Sequence, residues 1–146
     1  MARIRIDIPA DFSFSTNIPI RITDVNYGGH VGNDTFLSLI HEARMQFLAH
    51  HGYTEFSLEG IGIIMIDVAI EFKKELFYGD IIRASVATSE FNKLGFDLVY
   101  KLETGGAHGM KLAAIAKTGM VCYDYDAKKL AALPEKAKIK LAPSHS

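Results

Sequence analysis

Asp24-Val25-Asn26-Tyr27-Gly28-Gly29-His30-Val31-Gly32-Asn33 joins a strand-like segment to an amphipathic helix, and its reading decides the fold. One carboxylate, two carboxamides, an imidazole and three glycines fall within ten residues. Upstream, Phe12 to Thr23 alternates and is rich in Ile, Phe and Thr, the pattern of a strand. Downstream, Asp34 to His51 reads as a helix, with Asn33 or Asp34 available as N-cap and Gly52 where a C-terminal glycine belongs. Phe36, Ile40, Ala43 and Phe47 recur at helical spacing and form its apolar face, with Leu39 and Leu48 at the edges. The loop thus sits where free N–H groups and the positive end of the helix dipole gather. An oxyanion or a polar carbonyl is well held at such a place.

Everything after Gly60 reads as β. Ile61 to Leu76 is a strand whose early part is apolar on both faces, which predicts a central position in a sheet. Ile81 to Phe91, Phe96 to Glu103 and Met110 to Tyr125 follow as strands, separated by turns at Asn92-Lys93-Leu94-Gly95 and Thr104-Gly105-Gly106-Ala107. Short turns force antiparallel neighbours. The expected architecture is α+β, one long helix laid on a curved antiparallel sheet of five strands.

The whole chain sets wider bounds. Its 146 residues fit one domain, 1–146, and 49% hydrophobic content supplies a core. With 16 basic and 17 acidic residues the net charge is -1, which leaves no electrostatic footprint for nucleic acid. No apolar run reaches the ~20 residues of a membrane span. Met1-Ala2-Arg3-Ile4-Arg5-Ile6-Asp7 lacks the continuous apolar run of a signal peptide. The single cysteine, Cys122, forms no intrachain disulfide, and a cytoplasmic location is the expectation.

The pattern Asp-x-Asn-x-x-Gly-His-Val-x-Asn, followed by Glu42-Ala43-Arg44, resembles hot-dog-fold acyl-CoA thioesterases of the 4-hydroxybenzoyl-CoA thioesterase type. Phe72-Lys73-Lys74-Glu75-Leu76-Phe77-Tyr78-Gly79-Asp80 resembles that family's strand end and Gly-Asp turn. Cys122-Tyr123-Asp124 resembles the end of its last strand, and Leu133-Pro134-Glu135 its C-terminal tail. The resemblance implies hydrolysis of an acyl-CoA or acyl-ACP thioester to a carboxylic acid. It implies no cofactor beyond the coenzyme A carried by the substrate, and a homodimer or homotetramer with the site at a subunit interface. One departure stands out. The catalytic carboxylate of the 4-hydroxybenzoyl-CoA branch lies two residues after the first Asp of the motif, and here that residue is Asn26, which is neither a base nor a carboxylate nucleophile. Plant acyl-ACP thioesterases, with Asp-x-Asn and a nearby His, are more similar at this point.

The candidate catalytic residues are therefore Asp24, Asn26, His30 and Asn33. Asp24 is either the base that activates water or orients His30, or the holder of an Asx-type turn. His30 is a general base, or a loop histidine capping backbone groups. Asn26 positions water or the substrate carbonyl, or simply shapes a turn. By resemblance, the backbone N–H near Asn33 polarises the thioester carbonyl. Gly29 and Gly32 admit close approach of a ligand, and Val31, Phe36 and Met65 join them as expected substrate contacts. Glu42 falls opposite the apolar stripe, as a solvated residue or a minor catalytic candidate, whereas Arg44 lies nearer the apolar side and needs a partner if buried. Asp67 interrupts an apolar strand and is expected to point outward or meet a second chain. His50 and His51 suit the negative end of the helix dipole, and His108 a turn. No metal-binding spacing occurs among the six histidines. Lys73, Lys74, Arg83, Lys93, Lys111 and Lys117 read as solvated, or a few of them as contacts for coenzyme A phosphates. The rival functions are an acyl-CoA binding or sensing module and a dehydratase or hydratase of the same fold.

Overall fold

The computed structural model describes residues 3–106 and 109–143. In chain order come β1 (Phe14–Pro19), a 3-10 turn (Ile22–Asp24), α1 (Asn33–His50), β2 (Gly62–Phe72), β3 (Ile81–Ser89), β4 (Gly95–Gly106), β5 (Gly109–Asp124), β6 (Lys129–Leu130) and α2 (Glu135–Leu141). The sheet runs β1-β3-β4-β5-β2, and each of these neighbouring pairs is antiparallel. The short β6 pairs with the end of β5. No helix among the described residues is long and apolar enough to cross a membrane.

The core lies between α1 and the sheet. Phe36, Leu39, Ile40, Ala43, Phe47 and Leu48 are all buried, so the stripe expected from helical spacing is the face that packs. Alternating residues of the strands meet it: Ile82, Ala84 and Val86 from β3, Leu98, Tyr100 and Leu102 from β4. Gly52, at φ +80°, follows the last turn of α1, and its N–H bonds to Ala49 O at 2.9 Å. A side chain at that backbone angle would be strained, so glycine ends the helix there. At the other end the N-cap is Gly32, not Asn33 or Asp34, and no side chain caps it.

Several strand boundaries differ from the sequence reading. β1 stops at Pro19, and the chain then turns through Ile22–Asp24 instead of running on to Thr23. Proline fits the end of this edge strand, where no ladder donor is needed. β2 is an edge strand, not a central one, because β5 is its sole neighbour in the sheet order. Its apolar side chains Met65, Ile66, Val68 and Phe72 remain exposed, and an apolar run cannot by itself distinguish a buried strand from an edge awaiting cover. β2 also ends at Phe72, since Lys73 and Lys74 both donate to Ala113 O, at 2.8 and 3.1 Å. Thr104, Gly105 and Gly106, expected as a turn, belong to β4; Ala107 and His108 lie outside the described residues. β6 and α2 carry too few apolar positions to give a period, and α2 is positioned by tertiary contacts: Ala137 and Leu141 are buried and Thr88 Oγ1 donates to Leu141 O at 2.6 Å.

Candidate active site

The loop before α1 is a tight, internally bonded device. Val25 and Val31 face each other in an antiparallel bridge, and Asn26 N donates to His30 O at 2.9 Å. Between them Gly29 N donates to Asn26 O at 3.0 Å, closing a four-residue turn, and Gly29 has φ +82°. The Asn26 side chain reinforces it, with Oδ1 accepting from Gly28 N at 2.9 Å in an Asx turn. A second set of bonds ties the loop to the chain after β2. Val31 N donates to Leu76 O at 2.8 Å, and His30 bridges Phe77. The Gly-Asp turn holds this segment in turn, because Asp80 Oδ2 accepts from Phe77 N at 2.9 Å and Gly79 supplies φ +92°.

This stitching gathers Asn26, Gly28, His30 and Gly32 around the start of α1. A methyl group on Gly28 would lie 3.3 Å from both Asn26 Oδ1 and His30 Nε2, so the imidazole edge lies over the Gly28 backbone. A methyl on Gly32 would meet Asp34 Oδ1 at 2.7 Å and Asn26 Nδ2 at 3.6 Å. The Asn26 carboxamide thus spans from the turn to the helix N-terminus, oxygen toward Gly28 and amide nitrogen toward Gly32. The His30 Nδ1 atom lies 3.3 Å from Val31 O. If Nδ1 carries the proton in that contact, Nε2 keeps its lone pair for a substrate or a water.

His30, Val31, Asn33 and Phe36 line a hollow of about 270 Å³ with Phe72, Lys73, Lys74 and Glu75. Phe36 and Phe72 meet edge to face at 5.2 Å and form its aromatic wall. Gly32 offers no capping side chain, so among the described residues the N–H groups of Asn33 and Asp34 have no hydrogen-bond acceptor. Of these groups the hollow is lined by Asn33 and His30, so one unpaired donor and an imidazole share it, while Asn26 and Asp34 stand outside its lining. Lys73 also pairs with Glu71 at 3.3 Å, and Lys74 Nζ lies 6.0 Å above Phe77.

Not every expected residue joins this hollow. Asp24 is buried, but its carboxylate is occupied by Arg21, whose N–H donates at 2.8 Å and whose guanidinium lies 3.5 Å away. It lines a separate hollow with Glu42 and Gln46, so the carboxylate that shares a hollow with His30 is Glu75 and not Asp24. Sequence reading passed over Glu75, although it stands inside the quoted Phe72–Asp80 segment; only the bridge from His30 to Phe77 brings it near. Gly29 is at the exposed tip of the loop, and Val31 is buried beneath it. Met65 lies farther along β2, in another hollow beside Arg44. Glu42 is exposed and takes a hydrogen bond from Gln46 Nε2 at 3.0 Å.

Arg44 is buried and has the partners it requires, Glu55 and Tyr100. Burial pulls its guanidinium down, and Tyr100 and Glu55 more than reverse this, so it stays charged. Asp67 points outward to Lys117 at 3.2 Å and also accepts from Gly119 N at 2.9 Å. A bulge after Met65 turns it there, and Gly119 leaves room for the carboxylate. His51 packs edge-on against Phe47 at 4.8 Å, and burial lowers its pKa, with His50 and Lys140 adding to the effect. It is thus held toward the neutral form, the opposite of a dipole-complementing cation. Cys122 is fully buried and its thiol is pushed up to about 11 by burial.

A long helix packed on one antiparallel sheet in this order is the hot-dog fold. The pattern of the thioesterase-like superfamily matches residues 20–141, and the chain belongs to that superfamily. Among solved structures, a thioesterase-superfamily protein from Jannaschia sp. CCS1 superposes with a TM-score of 0.80 at 17% identity, covering 91% of this chain and 83% of the other. The 4-hydroxybenzoyl-CoA thioesterase of Pseudomonas sp. strain CBS-3 gives 0.77 at 17% identity, covering 89% and 99%. A 1,4-dihydroxy-2-naphthoyl-CoA thioesterase from Synechocystis gives 0.73 at 21%, covering 88% and 94%. No curated protein matches the chain by sequence.

Proposed function

We propose that this protein is an acyl-CoA thioesterase whose centre is the hollow at the start of α1. The observation that carries the reading is the unpaired N–H of Asn33, a residue that lines the same hollow as His30. The thioester carbonyl accepts from the Asn33 N–H, which stabilises the negative charge that develops on its oxygen. A water, held by Asn26 Nδ2, attacks the carbonyl carbon and loses a proton to His30 Nε2. The C–S bond then breaks, and the proton passes from His30 to the departing thiolate of coenzyme A, leaving the carboxylic acid. Asn26 carries no proton in this route; its Oδ1 is already committed to Gly28. Glu75, which lines the same hollow, is the carboxylate that would balance the charge of the imidazolium, in place of Asp24. Lys73 and Lys74 bring positive charge to the mouth of the hollow, where the phosphates of coenzyme A would lie.

The assembly fits the same reading. The free edge of β2 exposes Met65, Ile66, Val68 and Phe72, and a second copy across a two-fold would cover it and close the hollow against water. One observation favours a non-catalytic binding module instead: the residue at the motif's carboxylate position is Asn26, and it is spent on holding a turn. Hydrolysis of a panel of short, long and aromatic acyl-CoAs, read by thiol release, separates the two. Turnover that falls by about 10²–10⁴ in His30→Ala, the usual worth of a positioned acid–base group, supports the thioesterase. Retained acyl-CoA binding with no turnover by the wild-type protein would establish the binding module.

A further inference from the structure

A second hollow, of about 230 Å³, lies farther along α1, and Leu37, Ser38, Ile40, His41, Arg44 and Met65 are among the residues that line it. Asn33, Leu37, Ile40 and Arg44 are four, three and four residues apart, so they form one stripe on the helix. β2 supplies the facing wall of both hollows, with Phe72 beside the first and Met65 beside the second. The two hollows thus lie along one side of α1, the first at Asn33 and the second at Arg44. Leu37, Ile40 and Met65 give the second hollow an apolar side, and Ser38, His41, Thr118 and the charged Arg44 give it a polar one.

That charged group has a donor to spare. Arg44 is 5% exposed. Its Nε donates to Glu55 Oε2 at 3.2 Å and its Nη1 to Tyr100 Oη at 3.2 Å. His41 Nε2 holds the other Glu55 oxygen at 2.7 Å, and Tyr100 Oη meets Thr118 Oγ1 at 2.8 Å. Among the described residues Nη2 makes no hydrogen bond, yet no fully buried side-chain nitrogen or oxygen is left without a partner. Nη2 therefore keeps some exposure, and Arg44 is a lining residue of the hollow. Glu55 already balances the guanidinium charge. An incoming carboxylate would add an uncompensated charge beside Glu55, whereas a neutral oxygen would accept from Nη2 without that penalty.

Resting on the thioesterase reading above, we propose that Arg44 recognises a hydroxyl at the far end of the acyl chain, so that the preferred substrates are medium-chain acyl thioesters hydroxylated at their terminus. The helix rise puts Arg44 about 16 Å along the axis from Asn33, and an arginine side chain leans back toward the N-terminus by about 5 Å, one turn. The remaining ~11 Å suits roughly eight to ten carbons, with bonds of about 1.5 Å shortened by the zig-zag.

The test compares kcat/KM for octanoyl-CoA and decanoyl-CoA with that for their terminally hydroxylated and terminally carboxylated counterparts. The expected result is a preference of ten- to hundredfold for the hydroxylated chain over the unsubstituted one, the range for a hydrogen bond to a charged group, and none for the carboxylated chain. Leu37→Trp fills the hollow from its exposed side and should bring the ratio within that variant close to one. Arg44→Lys, which keeps the charge toward Glu55 but loses the fork, should do the same. Turnover of all chains without discrimination, or a preference that survives Leu37→Trp, overturns the hydroxyl site and leaves the thioesterase standing. If no thioester is turned over, the catalytic reading fails by itself, and calorimetric binding of the same CoA esters decides the hydroxyl site: equal affinities for the hydroxylated and unsubstituted chains would overturn it.

Discussion

Tyr100→Phe isolates the polar bridge that ties α1 to the middle of the sheet. Tyr100 is completely buried, and burial holds its phenol well above the ordinary range, so the hydroxyl stays protonated. It accepts from Arg44 Nη1 at 3.2 Å while its own proton can serve Thr118 Oγ1 at 2.8 Å. Phenylalanine keeps the ring and leaves no side-chain-sized cavity, so the loss is one hydrogen bond to a charged donor and one between neutral hydroxyls. These are worth about 1.5–3 and about 1 kcal/mol, which gives a destabilisation of roughly 3 kcal/mol. For a chain of this length that corresponds to roughly 6–12 °C in Tm. Urea unfolding should show a lower midpoint with an unchanged slope. Thr118→Val supplies the control: in the Tyr100→Phe background it removes the stranded hydroxyl, so the double variant should lose less than the sum of the single losses by about 1 kcal/mol. A Tyr100→Phe protein within about 0.5 kcal/mol of wild type, or strict additivity, would refute the bridge.

Three further outcomes follow from the same geometry. Ile66→Lys places a charge on the exposed β2 edge and should shift the protein toward monomer in light scattering, with loss of hydrolysis; an unchanged oligomer would move the interface elsewhere. Cys122, buried with its thiol pushed up to about 11, should resist Ellman's reagent at pH 8 until the protein is unfolded, and rapid labelling of the native state would contradict its burial. His51 has a folded-state pKa below its ordinary 6.5, so the unfolded chain binds the proton more readily. Stability from this residue is complete above pH 6.5 and is lost as pH falls through the window beneath it. His51→Gln should flatten that part of the stability–pH curve, and an unaltered slope would assign it to another group.

The sequence by itself determined the elements and their order. Spacing alone set the buried face of α1, from Phe36 through Ile40 and Ala43 to Phe47, and Gly52 marked its end, because helical period and left-handed backbone are local properties. The motif Asn26–His30–Asn33 located the loop at the helix N-terminus for the same reason, and the need of Arg44 for a buried partner followed from its place on the apolar side. The tertiary structure decided what meets what. A carboxylate shares the hollow with His30 only because Val31 and His30 pair with residues 76 and 77, which brings in Glu75 and leaves Asp24 to Arg21. The edge position of β2 likewise rests on strand order, which hydrophobic pattern does not encode. The free Nη2 of Arg44 is legible only once Glu55, Tyr100 and Met65, distant in sequence, close around it, since hydrogen-bond satisfaction belongs to the folded arrangement and not to any segment of chain.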